Sequence, residues 1–286
     1  MSGVLKIELR KAFGNKLFLL TLAVGIVIAS ISAYQNIQLY LDAVAHNAYR
    51  KEVLPDILFN PMYPAFSPYT YWIGGDYQYP MTSLFYLLLP LMASLAFGWS
   101  FFMEKKSGYI KNVVTRTKKT HYFLAKYIAV FLSGGAVIAI PLVINFLTVA
   151  CFIPAYQPDI YYSIYYSMGY HFLSELFYSS PLVYVIYVMA LDFVFSGLIA
   201  TASMALTFFV RNRFAVVLLP FLLLLGIQYI QDTLYKIFQV IISPIDFLKA
   251  YSSGPVTGWV VFPFMIILFL LTFGITCFKG VKDDVL

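Results

Sequence analysis

Long apolar runs constrain this chain more than any other feature of its sequence. Residues 17–33 carry no charged side chain over 17 positions, which as a helix covers roughly 25 Å of hydrocarbon. Of the 286 residues, 61% are hydrophobic and 11% are charged, whereas about a quarter are charged in an average soluble domain. We therefore expect an all-α polytopic membrane protein with six transmembrane helices. The predicted spans are residues 17–33, 82–103, 122–153, 182–210, 214–230 and 259–278.

The basic residues predict which way the spans run through the membrane. Residues 102–126, which join the second and third spans, hold seven Lys or Arg and a single acid, Glu104. Loops rich in Lys and Arg remain in the cytoplasm, so this orientation puts both termini there. On this topology 15 of the 19 basic residues are cytoplasmic. The sequence thus predicts a multi-pass protein of a cell membrane.

The segments outside the spans complete a single transmembrane domain. Residues 1–16 have the amphipathic pattern of an interfacial helix, because four apolar side chains recur at helical spacing. These are Leu5, Leu9, Ala12 and Phe13. Residues 34–81 and 154–181 are predicted outer loops rich in Pro and Tyr, and residues 35–53 are expected to extend the first helix. Residues 231–258 are predicted to form a re-entrant outer element before the last span.

The first span has an alternative interpretation as a cleaved signal peptide. Basic residues precede it and small residues end it, as in a secretory signal. However, the apolar core of a signal peptide is about 7 to 15 residues long, and five further spans follow this longer run. We therefore expect an uncleaved first helix.

The loop at residues 104–121 has the pattern of a short helix between two breaks. Four apolar side chains recur at i, i+1, i+4 and i+5, which places them on one stripe of a helix. They are Tyr109, Ile110, Val113 and Val114. Ser107 is the predicted N-cap of this helix and Thr120 that of the next. Such a helix either lies in the lipid interface or docks into a groove of another protein.

This loop resembles the corresponding loop in the membrane-spanning subunits of type 2 ABC exporters. Those subunits carry a Glu leaving the second span, a Gly, a short apolar coupling helix, a small polar residue with Arg, and a basic start of the third span. The residues that match in that order are Glu104, Gly108, the stripe of Tyr109, Ile110, Val113 and Val114, then Thr115 with Arg116, and Lys126. Val114 stands where the family has Pro before the Thr-Arg pair.

The resemblance implies a permease subunit that exports a hydrophobic or amphipathic substrate, such as a bacteriocin or toxin peptide, a drug or a lipid, across a bacterial plasma membrane. The implied partners are a cytoplasmic ABC ATPase subunit and a second permease subunit, identical or a close paralogue. Because the sequence has no phosphate-binding loop, no cofactor is expected on this chain, and ATP and Mg²⁺ would bind the ATPase. The matched residues from Glu104 to Arg116 would couple the permease to the ATPase. A basic loop that binds anionic membrane lipid is the alternative explanation.

Asp192 is the one ionisable residue well inside an apolar run. A carboxylate at that depth is costly unless it faces a wet cavity, is paired or is protonated, so Asp192 is a candidate residue of the substrate path. Hydrogen bonding to a tyrosine or hydroxyl of a neighbouring helix is the structural alternative. An alternative function follows from the same residue, namely a proton-coupled secondary transporter that uses Asp192, although the two halves show no self-similarity.

The remaining motifs exclude other classes of function. No nucleophile elbow or zinc-protease motif is present, so no catalytic residue is assigned and a membrane enzyme is the weakest candidate. His171 and Glu175 are four residues apart, which is a weak indication of a metal site. Cys151 and Cys277 fall near opposite membrane faces, too far apart for a disulfide. The basic residues follow the membrane topology and do not predict nucleic-acid binding.

Overall fold

The structure, a computed structural model, describes residues 2–54, 66–159, 171–251 and 254–282, with side chains as far as residue 280. These residues are mainly helical and contain no β-strand, which confirms the all-α prediction. In chain order the helices are α1 (Ser2–Phe13), α2 (Lys16–Val53), α3 (Pro68–Tyr71), α4 (Pro80–Ala93), α5 (Ser100–Lys106), α6 (Tyr109–Val114), α7 (Lys119–Phe152), α8 (Ser174–Ser179), α9 (Pro181–Leu206), α10 (Arg213–Phe238), α11 (Pro244–Phe247) and α12 (Gly258–Lys282).

Six helical segments in the described part are long and apolar enough to cross a membrane, which indicates a multi-pass membrane protein. They are Lys16–Val53, Pro80–Lys106, Lys119–Phe152, Pro181–Leu206, Arg213–Phe238 and Gly258–Gly280. We call the end of the bundle that carries α1, α6 and residues 207–212 the basic end. The opposite end carries residues 66–79, 239–251 and 254–257.

Two helices extend well beyond their predicted spans. Helix α2 continues through Val53, as the pattern of residues 35–53 predicted. Helix α10 continues to Phe238, so residues 231–238 belong to the fifth span and not to the re-entrant element. The helix ends where Gln239 adopts a left-handed conformation (φ 56°), and Pro244 lies shortly beyond. Both features are typical of a helix C-terminus.

Residues 239–251 and 254–257, within the segment predicted to be re-entrant, pack into the bundle at the opposite end. Phe247 of α11 is buried, and its ring centroid lies 5.2 Å from that of Phe195 of α9. The backbone amide of Ala250 donates to the carbonyl of Gly74 at 2.8 Å, and the Tyr184 hydroxyl donates to the Ala250 carbonyl at 2.6 Å. Polar backbone groups inside the bundle are thereby satisfied. The Pro- and Tyr-rich stretches at 55–65 and 160–170, and the tail at 283–286, lie outside the described residues.

Glycines allow α7 and α9 to approach closely in the centre of the bundle. A Cβ atom added at Gly135 of α7 would lie 2.7 Å from the ring of Phe193, and one at Gly197 of α9 would lie 2.7 Å from the ring of Phe131. Each phenylalanine therefore covers a glycine of the facing helix. Small residues permit such close contact between membrane helices.

The second span contains a π-helical turn, Ser94–Gly98, between α4 and α5. Pro90 lies inside α4, one turn before it. The side chain of Asn15 caps α2 by accepting from the Leu17 amide at 3.1 Å, and its amide nitrogen donates to the Ala96 carbonyl at 3.1 Å. This contact fixes the start of α2 against the π turn, close to the basic end.

Candidate functional site

The predicted coupling helix is present at the basic end as α6. It follows α5 by a two-residue turn in which Gly108 has a left-handed backbone (φ 72°) and is the N-cap. The prediction of Ser107 as the N-cap is wrong, because Ser107 ends α5 and its hydroxyl donates to the Glu104 carbonyl at 3.3 Å. The prediction for Thr120 is also wrong, since Lys118 is the N-cap of α7. Glycine adopts the left-handed conformation at little cost, which makes the tight turn possible.

The apolar stripe of α6 faces its own bundle. Ile110 is 1% exposed, and the half-buried Val113 and Val114 pack against the hydrophobic core. The side chains that α6 and the following residues present to solvent are polar or basic. They are Lys111, Asn112, Thr115 and Arg116. Ile110 is therefore inaccessible to a partner, whereas Tyr109 and Val113 also line a groove beside α1.

Four charged side chains meet directly beneath α6, and we call them the charge cluster: Glu8, Lys11, Glu104 and Lys126. The Lys126 ammonium lies 2.9 Å from Glu8 Oε2 and 2.9 Å from Glu104 Oε1. The Lys11 ammonium lies 2.7 Å from Glu8 Oε1 and 3.1 Å from Glu104 Oε1. Two carboxylates and two ammonium groups give the cluster zero net charge.

Two tyrosines extend the charge cluster to neighbouring helices. The Tyr122 hydroxyl of α7 donates to Glu104 Oε2 at 2.5 Å, and Lys11 donates to the hydroxyl of Tyr109 in α6 at 3.0 Å. Lys126 also lies over the ring of Phe97, 4.2 Å from its centroid, in a cation–π contact. The cluster thus connects α1, α5, α6 and α7.

The charge cluster is largely shielded from solvent. Lys126 is 0% exposed and Glu8 is 1% exposed. Burial acts to lower the pKa of Lys11, but its hydrogen bonds with Glu8 and Tyr109 and the charge of Glu104 outweigh this effect and raise the pKa above its usual value. A buried ion loses its hydration, so each member depends on its counter-charges. Separating α5 or α7 from the others would therefore leave an excess charge in the cluster, whereas α6 joins the cluster through the neutral Tyr109 hydroxyl.

A groove of about 570 Å³ lies between α1 and α6, above the cluster. It is lined by Val4, Ile7, Glu8, Tyr109, Asn112, Val113, Thr115, Arg116 and Thr117. Its size is in the range of ligand and peptide sites. Lys6 and Arg10 of α1 are exposed, as is Arg116. The described lining of this groove thus has one basic residue, Arg116, and one acidic residue, Glu8.

Asp192 of α9 is fully buried in the core, not at the basic end. The Tyr86 hydroxyl of α4 donates to its Oδ2 at 3.0 Å, the arrangement of the structural alternative. Its Oδ1 has no hydrogen-bond partner among the described residues. Asp192 does not line the groove between α1 and α6, nor either of the two apolar cavities on α12 described below.

Sequence reasoning missed half of the charge cluster. Glu8, Lys11 and Tyr122 were not candidates, and Lys126 was predicted as the basic start of the third span but not as a buried member of an ion cluster. A signal for Glu8 was present, because it lies three residues after Leu5 and four before Ala12 on the predicted apolar face. A carboxylate on that face requires a buried partner.

No metal site and no known relative adds to this description. Within residues 2–54, 66–159, 171–251 and 254–282, no three His, Cys, Asp or Glu side chains are grouped closely enough to hold a metal ion. Comparisons with known protein families, with curated proteins and with solved structures find no match for this chain. The resemblance to ABC exporter permeases therefore rests on its own residues.

Proposed function

We propose that this chain is the permease subunit of an ATP-driven exporter and that a separate ATPase subunit binds its basic end. The observation that carries the proposal is the connection of α6 to the spans. The position that the resemblance assigns to the coupling helix is occupied by a helix joined through Tyr109 and Lys11 to the charge cluster. A displacement of α6 is thereby transmitted to α1, α5 and α7 together.

The ATPase contacts the polar side of α6 and the groove beside α1. The sequence suggested the apolar stripe as the docking surface, but Ile110 is buried against the bundle. Asn112, Thr115 and Arg116 line the groove and reach solvent. Arg116 in this surface, and the exposed Lys6 and Arg10 elsewhere on α1, make the basic end attractive to an acidic partner segment, because opposite charge accelerates and orients association.

The transported molecule is hydrophobic or amphipathic, such as a bacteriocin or toxin peptide, a drug or a lipid. The support for this proposal is that the spans carry few charges and that their exposed faces are apolar. ATP and Mg²⁺ bind the ATPase, and a second permease subunit, identical or closely similar, completes the transporter. The proposed location is a bacterial plasma membrane.

The decisive experiment isolates the native complex in mild detergent and measures the ATP hydrolysis that co-purifies with the chain. We expect Arg116→Glu to reduce the co-purifying activity, because it reverses the charge of the docking surface. Lys51→Glu is the matched control, since Lys51 is exposed at the far end of α2. If neither wild type nor control brings down an ATPase, the exporter proposal is wrong.

A proton-coupled secondary transporter is the second candidate function. It is favoured by one observation, the buried Asp192 with a single tyrosine donor to Oδ2 and no described partner at Oδ1. This mechanism predicts uptake or efflux driven by a pH gradient in vesicles without ATP. Transport that survives in Asp192→Asn would eliminate it.

A further inference from the structure

Two apolar cavities follow one another along α12, within the bundle's lateral surface. The deeper one, of about 380 Å³, is lined by Tyr127, Ile128, Phe131, Leu132, Val194, Leu198, Met265, Ile266 and Phe269. The second, of about 710 Å³, lies toward the opposite end and is lined by His171, Phe172, Val256, Thr257, Gly258, Trp259, Phe262, Pro263 and Ile266. Ile266 lines both, and we call the pair the lateral groove.

The lateral groove exists because α12 cannot approach its neighbours as closely as they approach each other. Helices α7 and α9 meet through glycines, whereas α12 meets them through large side chains such as Phe269 and Met265. In its most apolar stretch only 17% of α12 is buried, compared with 56% for α7 and α9. A cleft therefore stays open between α12 and the α7–α9 pair, accessible from the side.

The deep end of the groove is closed by a small polar contact. The Tyr127 hydroxyl and Thr272 Oγ1 are 2.9 Å apart, which engages the one polar side chain among the described residues that line the deeper cavity. The Tyr127 ring packs edge-on against Phe273 at a centroid distance of 5.4 Å. No Lys, Arg, Asp or Glu is among the described lining residues. Such a lining favours hydrocarbon and gives no attraction to a charged group.

The length of the lateral groove corresponds to one leaflet of a bilayer. Ten residues separate Trp259 from Phe269 along α12, a rise of about 15 Å, and the hydrocarbon core of a bilayer is about 30 Å thick. Trp259 is 89% exposed at the outer end. Exposed tryptophans favour the headgroup level, so the groove runs from that level to about the middle of the membrane.

We call the end of the lateral groove beside Trp259 its mouth. The His171 side chain at the mouth is uncharged in its environment. Burial lowers the pKa of His171 to about 4, and its Nδ1 accepts from the Leu173 amide at 3.2 Å. The ring stacks on Phe172 with centroids 5.0 Å apart. The mouth therefore presents a neutral, mainly aromatic rim to the lipid headgroups.

We propose that the lateral groove is a specific site for one hydrocarbon chain of a phospholipid in the leaflet at the opposite end. Its length, its uncharged apolar lining and its sideways opening into the membrane match a single acyl chain. The headgroup remains in the interface beside Trp259 and makes no charge-specific contact. This site is independent of the proposed ATPase and of export.

The test counts phospholipids that stay bound to the purified full chain. The protein is washed free of lipid in detergent, titrated with phosphatidylcholine and analysed by native mass spectrometry. We expect one tightly held phosphatidylcholine per chain. In Ile266→Trp we expect about tenfold weaker binding, because the indole fills the groove. Val194→Phe fills the groove from the α9 side and should weaken the binding of phosphatidylcholine in the same way.

Ile267→Trp is the matched control. Ile266 and Ile267 are 54% and 56% exposed neighbours on α12, but only Ile266 is among the lining residues. Binding to Ile267→Trp should equal that of wild type, and circular dichroism checks that all variants are folded. Equal losses in the two tryptophan variants, or no retained lipid in wild type, would overturn the proposal.

Two further lipids test the chemistry of the site. Lysophosphatidylcholine, with a single chain, should displace phosphatidylcholine, and phosphatidylglycerol should bind with similar affinity because the described lining has no charge. A strong preference for phosphatidylglycerol would show that an electrostatic site elsewhere holds the lipid. Failure of the single-chain lipid to compete would show that two chains are held.

Discussion

The two ends of this bundle bury ionisable side chains in different ways. At the basic end, Glu8 and Glu104 each contact two lysines, so that every buried charge has counter-charges within about 3 Å. Toward the opposite end, Asp192 has only the hydroxyl of Tyr86 as an identified donor, and Asp76 accepts from the Asn36 amide at 3.1 Å. The contacts of the charge cluster are ionic, and those of Asp192 and Asp76 are dipolar.

The two kinds of contact constrain the helices differently. Three helices, α1, α5 and α7, carry the ions of the charge cluster. Moving α5 or α7 alone would leave a buried charge without its full set of counter-charges. Burial raises the pKa of Asp76, against the hydrogen bonds from Gln78 and Asn36. The charge cluster thus joins its helices through ions, while Asp76 is held by hydrogen bonds. The opposite end also contains an ion pair, between Lys249 and Asp246 at 2.9 Å.

Removing one cation of the charge cluster should have the largest effect. Lys126→Met leaves Glu8 and Glu104 with Lys11 alone, and losing one partner of a buried ion pair costs about 3–5 kcal/mol. Unfolding in a denaturing detergent series measures the free energy. Lys106→Met is the control, because Lys106 is exposed beside the cluster, and should change stability by less than about 0.5 kcal/mol. Equal losses of stability in the two variants would contradict the conclusion that ion pairs stabilise the charge cluster.

The neutral packing of His171 predicts a loss of stability in acid. The unfolded chain binds a proton near the ordinary pKa of 6.5, whereas burial holds the folded-state pKa at about 4. Stability is therefore complete above pH 6.5 and falls as the pH drops toward 4, by about 3 kcal/mol. Thermal unfolding across this range measures it. His171→Gln should flatten the profile, and His121→Gln should not.

The tyrosine that orients Glu104 should contribute a smaller amount. Tyr122→Phe removes the hydroxyl that donates to Glu104 Oε2 while keeping the ring in place. Hydrogen bonds to charged groups contribute about 1.5–3 kcal/mol. The control Tyr229→Phe alters a side chain that is 89% exposed. If the two variants unfold at the same detergent concentration, the hydroxyl does not support the cluster.

The smallest change in stability is expected for Asp192→Asn. This variant tests most directly the difference between a buried carboxylate held by hydrogen bonds and one held by ions. The amide oxygen still accepts from Tyr86, and no ion pair among the described residues is broken. Stability should change by at most about 1 kcal/mol. Glu104→Gln is the comparison variant, because it removes a charge shared by Lys11 and Lys126, and it should be clearly more destabilising. Similar losses would mean that Asp192 is also held by a charge.

The predictions that succeeded depend on properties local to the chain. Six apolar runs predict six helices because a membrane-spanning backbone must satisfy its own hydrogen bonds. The spacing of Tyr109, Ile110, Val113 and Val114 predicted a helix with the bounds observed for α6. The prediction of Ser107 as an N-cap was wrong, since the turn geometry at Gly108 depends on how α5 and α6 pack.

Tertiary contacts decided the direction in which each polar or apolar face points. A stripe on α6 suits a partner as well as its own bundle, and only the position of α6 over α1 and α7 turned Ile110 inward. Likewise, Glu8 and Lys126 are 118 residues apart in sequence, and no local pattern pairs them. Burying a charge is favourable only beside its counter-charge, which the folding of distant helices supplies.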